Sequence, residues 1–124
     1  MKMLKIMLFA FVFTTVLFAQ TALADDSIKT MAQIMINLNH FPSDSDKEVL
    51  RKITLDSATS ENEKTLASAM INLQHAASDA DKQKLSAIIK DSAASENERN
   101  LAEIIYNLNH KPSSADKEQL KKMM

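Results

Sequence analysis

The feature that most constrains this fold is a five-residue motif that recurs every 35 residues. It ends in histidine each time, at His40, His75 and His110. Three residues after each histidine, a second motif of the form Ser-X-X-Asp-Lys begins. A fixed period of this length is typical of repeat architectures. We therefore divide the chain after residue 24 into a helical-repeat domain, 25–124, with units 25–59, 60–94 and 95–124.

Each unit is predicted to form a hairpin of two helices. In the second unit, Ser60 stands three residues before Glu63, which is the spacing of a capping box at a helix start. Apolar residues then recur at the spacing of one helix face; they are Leu66, Ala69, Met70 and Leu73. Ser78 is placed to cap the second helix. Three such hairpins predict an all-α chain, folded as a short α-solenoid or as a compact six-helix array.

Residues 1–24 have the pattern of a secretory signal peptide. Lys2 and Lys5 precede an apolar run of about 14 residues, shorter than the roughly 20 that a membrane-spanning helix needs. Ala22 and Ala24 then form a small-residue cleavage site. We expect a bacterial protein that is cleaved after Ala24, is periplasmic or secreted, and has no membrane segment after cleavage.

Composition excludes several classes of function. The chain has no glycine and no cysteine, so it lacks phosphate-binding loops, nucleophile elbows, disulfides and thiolate metal sites. Without the signal the formal charge is −3, and no basic tract remains to bind nucleic acid. The serines are explained as helix caps and turn residues. We predict a protein that is not an enzyme, with no catalytic residues and no cofactor.

The repeated histidines allow two interpretations. Imidazole is a good ligand for zinc, copper and nickel, so a periplasmic protein that binds metal or another small ligand is one alternative. Against it, equivalent residues of stacked units are expected about 10 Å apart, the distance between packed helices. A histidine in the last turn of a helix also interacts favourably with the helix dipole. On these grounds we predict no metal site.

The favoured hypothesis is a non-enzymatic module that binds a protein or peptide, because helical repeats create extended surfaces. The candidate partner-binding residues lie outside the predicted core stripe; they are Tyr106, His110, Asn107, Asn72, His75, Asn37 and His40. Tyr106 is the strongest candidate, since aromatic side chains are frequent interface anchors. It stands four residues before His110, on the same face of a continuous helix. A further alternative is a self-associating structural protein, with weak association through the open apolar face of the C-terminal unit, where Met123 and Met124 follow without a polar capping helix.

Overall fold

The computed structural model describes residues 26–124, which form six helices and no strand longer than an isolated bridge. The helices are α1 (26–36), α2 (Asp44–Leu55), α3 (Glu61–Ile71), α4 (Asp79–Lys90), α5 (Glu96–Tyr106) and α6 (Ser114–Lys122). This confirms the predicted all-α class. The predicted signal peptide, 1–24, lies outside the described residues. Within the described part of the chain, no helix combines the length and the apolar character needed to cross a membrane.

The helix starts follow the capping pattern read from the sequence. A serine with extended backbone precedes each helix from α2 to α6, and its hydroxyl accepts the backbone N–H three residues later. These N-cap residues are Ser43, Ser60, Ser78, Ser95 and Ser113. In α5 the box is complete, because Glu98 also accepts the Ser95 backbone N–H at 2.9 Å. Each such cap stabilises its helix by about 1 kcal/mol.

The first helix of each unit ends earlier than the sequence suggested. The C-caps of α3 and α5 are Asn72 and Asn107, and the histidine of each unit comes three residues later, outside the helix. The interpretation of the histidines as last-turn residues is therefore wrong. The histidines belong to the connection between the two helices of a unit, where the backbone is not held in a helical conformation.

Packing joins each unit to the next one along the chain. Helix α2 packs against α3 and α4 packs against α5, so the second helix of one unit covers the first helix of the following unit. Helices α3 and α5 also contact each other directly. One continuous apolar core runs from Ile28 to Met123. It includes Leu38, Leu73 and Leu108, each two residues before a histidine.

The chain closes on itself between the first and third units. The backbone N–H of His40 donates to the backbone carbonyl of His110 at 2.8 Å, across 70 residues of sequence. An open solenoid keeps its first and last units apart, so this contact identifies the compact array among the two predicted architectures. Of the two methionines at the end of the C-terminal unit, Met123 is buried in the core and Met124 is exposed.

Candidate metal centre

The three histidines are joined by a closed ring of backbone hydrogen bonds. His40 donates to His110 at 2.8 Å, His75 donates to His40 at 3.0 Å, and His110 donates to His75 at 2.7 Å. Each histidine thus donates once and accepts once within the ring. We call these three residues the histidine triad. The ring fixes the backbone of the triad in one arrangement and brings together residues from all three units.

Each histidine sits at a sharp bend with a positive φ. The φ angles are 74° at His40, 74° at His75 and 70° at His110. In two of the units a hydrogen bond joins the residues on either side of the histidine. The backbone N–H of Phe41 donates to the carbonyl of Asn39 at 3.0 Å, and that of Lys111 donates to the carbonyl of Asn109 at 2.9 Å. This bond and this φ are those of a classic γ-turn, a rare and strained bend. Such a bend reverses the chain within three residues and directs the three histidines to one point.

The imidazole rings converge at that point. The Nδ1 atoms of His40 and His110 are 3.2 Å apart, those of His40 and His75 are 3.3 Å apart, and those of His75 and His110 are 3.0 Å apart. The ring centroids are 4.9–5.1 Å apart and the rings meet edge to face. The prediction that the histidines are about 10 Å apart is wrong, because it assumed units stacked in a line rather than closed around a common point.

Three Nδ1 atoms cannot satisfy one another by hydrogen bonding. Each Nδ1 atom either carries a hydrogen and donates, or carries a lone pair and accepts. Among three such atoms at least two are of the same kind, and the contact between those two is not a hydrogen bond. A metal cation removes this conflict, since it accepts the lone pairs of all three nitrogens at once. The triad is therefore better suited to a cation than to a network of its own hydrogens.

The spacing of the triad also matches what a metal ion requires. Three atoms at these separations lie about 1.8 Å from their common centre, so an ion at the usual zinc–nitrogen distance of about 2.0–2.1 Å fits about 1 Å outside their plane. The resulting nitrogen–metal–nitrogen angles are about 100°, close to those of a tetrahedral centre. Among residues 26–124, the histidine triad is the one group of three or more histidine or acidic side chains whose ligand atoms lie close enough together to hold a metal ion.

The outer side of the triad is open. All three histidines are accessible to solvent. The contacts among the three rings join their Nδ1 atoms. In metal sites, the second nitrogen of a ligating histidine, here Nε2, commonly donates to a carboxylate, a carbonyl or water.

The three asparagines predicted as partner-binding residues come three residues before the histidines, and their contacts are local. The Asn37 side chain donates to the Gln33 carbonyl in its own helix at 3.2 Å. The Asn72 side chain donates to a carboxylate oxygen of Asp81 at 3.3 Å, which links the two helices of the second unit. Asn107 is the exposed C-cap of α5. These residues help to shape the helix ends that precede the histidines.

Tyr106 is the last residue of α5, and 37% of its surface is exposed. Because the helix ends there, the expectation that Tyr106 and His110 share one helix face does not hold. The ammonium group of Lys82, from the neighbouring unit, lies 5.5 Å from the centre of the Tyr106 ring. Phe41 is in a similar situation, exposed next to His40 and 5.9 Å from the Lys47 ammonium.

Comparison with known proteins gives no relative. No family model, no curated protein and no solved structure matches this chain. The functional argument therefore depends on the geometry of the triad itself.

Proposed function

We propose that this protein binds one divalent transition-metal ion, zinc in the first place, through the Nδ1 atoms of His40, His75 and His110. The observation that supports this proposal is the set of Nδ1 separations, 3.0–3.3 Å, in a cluster open to solvent. We further propose that the protein acts outside the cytoplasm, in the periplasm or the medium, since residues 1–24 have the pattern of an export signal.

Zinc is favoured over other ions by the shape and chemistry of the site. Zinc has no directional preference from its d electrons and is most often tetrahedral, with histidine a common ligand. The angles of about 100° inferred for the triad suit that geometry, whereas copper(II) prefers a tetragonal arrangement. Copper nevertheless binds nitrogen sites more tightly than zinc in general. Copper and nickel are therefore the competitors to include in any binding measurement.

The experiment is a zinc titration of the purified protein in competition with a chromophoric chelator. The test variant is His75→Gly, since glycine accepts the positive φ at this position and leaves the backbone ring in place. We expect one zinc ion per chain. Changes to groups that only orient a ligand cost about 10–100-fold in affinity, so loss of a ligand is expected to cost at least about 100-fold.

The matched control is Gln74→Ala, which changes the exposed side chain beside His75 and removes no imidazole. We expect its zinc affinity to stay within about twofold of the parent protein, well inside the 1.4 kcal/mol that corresponds to a tenfold change. Equal zinc affinity in His75→Gly and the parent protein would contradict the proposal.

A second candidate function is the binding of a protein or peptide partner, without catalysis. The observation that favours it is the exposure of two aromatic side chains, 56% for Phe41 and 37% for Tyr106. Exposed aromatic rings are frequent anchors of interfaces. The corresponding test is Tyr106→Ala, which we expect to weaken a captured partner by about tenfold, or 1.4 kcal/mol. An unchanged affinity for that partner would argue against Tyr106 as the contact.

A further inference from the structure

The histidine triad supplies three ligands, and a tetrahedral ion needs four. Within residues 26–124, the metal-ligating group at this point contains His40, His75 and His110 and no carboxylate. The leucines two residues before the histidines, at positions 38, 73 and 108, lie in the core and offer no ligand atom. Among the described residues, no further histidine and no acidic side chain joins the triad, so the fourth position of a bound ion is open to a ligand from outside.

The charge of the site indicates which ligand that is. Three imidazole rings that bind through lone pairs bring no negative charge, so a divalent ion held by them keeps its full charge of +2. A bound cation of this kind is the largest local charge in its surroundings. Because the triad is exposed to solvent, a small anion reaches the ion directly and lowers that charge. A neutral donor of the same size does not.

We propose that the metal ion held by the triad keeps an exchangeable fourth position that faces solvent and binds one small monoanion there. This inference depends on the metal-binding function proposed above. It adds to that function a ligand class and a stoichiometry, one anion for each metal ion. Sites with three protein ligands and one open position are typical of metal ions that exchange ligands, whereas structural zinc sites are closed by four protein ligands.

The other possible occupant of the fourth position is a second copy of the chain. The charge beside the triad argues against it. Lys111, which directly follows His110, is exposed. Two triads that face each other across one ion bring the like-charged Lys111 side chains of both copies towards the same contact. Like charges at an interface disfavour that partner.

The test uses cobalt(II) as a spectroscopic probe and thiocyanate as the anion. Cobalt(II) is added to the purified protein until its visible absorption band is complete, and thiocyanate is then titrated in. We expect the cobalt band to change in position and intensity along one saturating curve that fits one thiocyanate per cobalt. We also expect the anion to be displaced by azide, since both compete for one position.

Two variants distinguish anion binding by the metal ion from anion binding by a nearby side chain. Lys111→Gln removes the nearest cationic side chain in sequence and keeps every ligand, so we expect thiocyanate binding within about twofold of the parent protein. His75→Gly is expected to give no saturable thiocyanate response, because the ion is lost or its coordination is changed. Loss of the response in Lys111→Gln, with the cobalt band intact, would assign the anion to the lysine and overturn the inference.

The remaining outcomes are also distinguishable. A cobalt band that thiocyanate leaves unchanged overturns the open position and leaves metal binding standing. A doubling of the mass by light scattering at half an equivalent of cobalt assigns the fourth position to a second copy and overturns the inference. The absence of any cobalt or zinc binding overturns both the inference and the function on which it depends.

Discussion

The first helices of the three units are α1, α3 and α5. Near their carboxyl ends the three units have the same residue at an equivalent position, whereas near their amino ends they do not. At the carboxyl ends, every unit has a histidine, and the three histidines meet. At the amino ends, the equivalent positions hold Ile28, Glu63 and Glu98. All three of those side chains are buried, although one is apolar and two are acidic. We call these two regions the histidine end and the cap end.

The cap end shows that the fold accepts different chemistry at equivalent positions. The Ser60 hydroxyl lies 2.9 Å from a carboxylate oxygen of Glu63 and 3.2 Å from one of Glu98, so two units share a polar contact. The first unit places the apolar side chain of Ile28 at the equivalent position. Both solutions are compatible with the same helix packing. Repetition alone therefore does not force identical residues.

The histidine end is different because its backbone conformation does not require a histidine. A positive φ favours glycine, and the residue that directly follows the histidine varies among the units, as Phe41, Ala76 and Lys111. The histidine itself does not vary among the units. What the three residues have in common is the imidazole nitrogen. This difference is what we expect if the cap end serves folding and the histidine end serves the proposed metal binding.

The largest expected effect is the stabilisation of the folded protein by zinc, which depends on the histidine end and not on the cap end. A ligand that binds only the native state adds about 2.7 kcal/mol to the free energy of unfolding when its concentration is 100 times its Kd. We expect zinc to raise the stability of the parent protein by this amount in urea denaturation. The triple variant His40→Gly, His75→Gly, His110→Gly is expected to show no increase, and an equal increase would contradict the assignment.

The next effect distinguishes the backbone role of the histidine from its ligand role. A residue with a Cβ atom pays about 1–2 kcal/mol in the left-handed region, and glycine does not. Without metal, we expect His75→Gly to be more stable than His75→Ala by about 1 kcal/mol. Both variants are expected to lose zinc binding. If only His75→Ala loses zinc, the histidine acts through the backbone and not through its nitrogen.

A change at the cap end is expected to affect stability alone. Ser95→Ala removes the hydroxyl that accepts the Glu98 backbone N–H at 3.1 Å. Loss of such a cap costs about 1 kcal/mol in the free energy of unfolding. Zinc affinity, measured by chelator competition, is expected to stay unchanged in this variant. A large loss of zinc affinity would show that the two ends are coupled and would remove the distinction drawn above.

Local features of the fold could be read from the sequence because they depend on short-range chemistry. The serine caps at Ser60 and Ser95 and the apolar face of α3 follow directly from residue spacing. The rotation from one unit to the next could not be read in this way. It is set by the sum of many side-chain contacts, such as those between α2 and α3, and a small change in it separates an open stack from a closed ring.

The same dependence on the rotation between units explains why the candidate site could not be predicted from the sequence. The sequence identifies His40, His75 and His110 as repeated polar residues, but the distance between them depends on closure of the three units, which no single motif encodes. The γ-turn was also hidden, because a chain with no glycine gives no usual sign of a positive φ. Histidine is nevertheless among the residues enriched in that region. Three histidines at one period in a short repeat protein are therefore compatible with a shared ion wherever the units close into a ring.

The most direct test of the central claim is X-ray absorption spectroscopy at the zinc edge of the metal-loaded protein. The account predicts a first shell of three imidazole nitrogens at about 2.0–2.1 Å, completed by one further ligand. The outer-shell scattering is expected to have the pattern of three histidine rings. A first shell made of oxygen atoms alone, or one with the scattering of a single imidazole, would contradict the claim that the triad holds the metal.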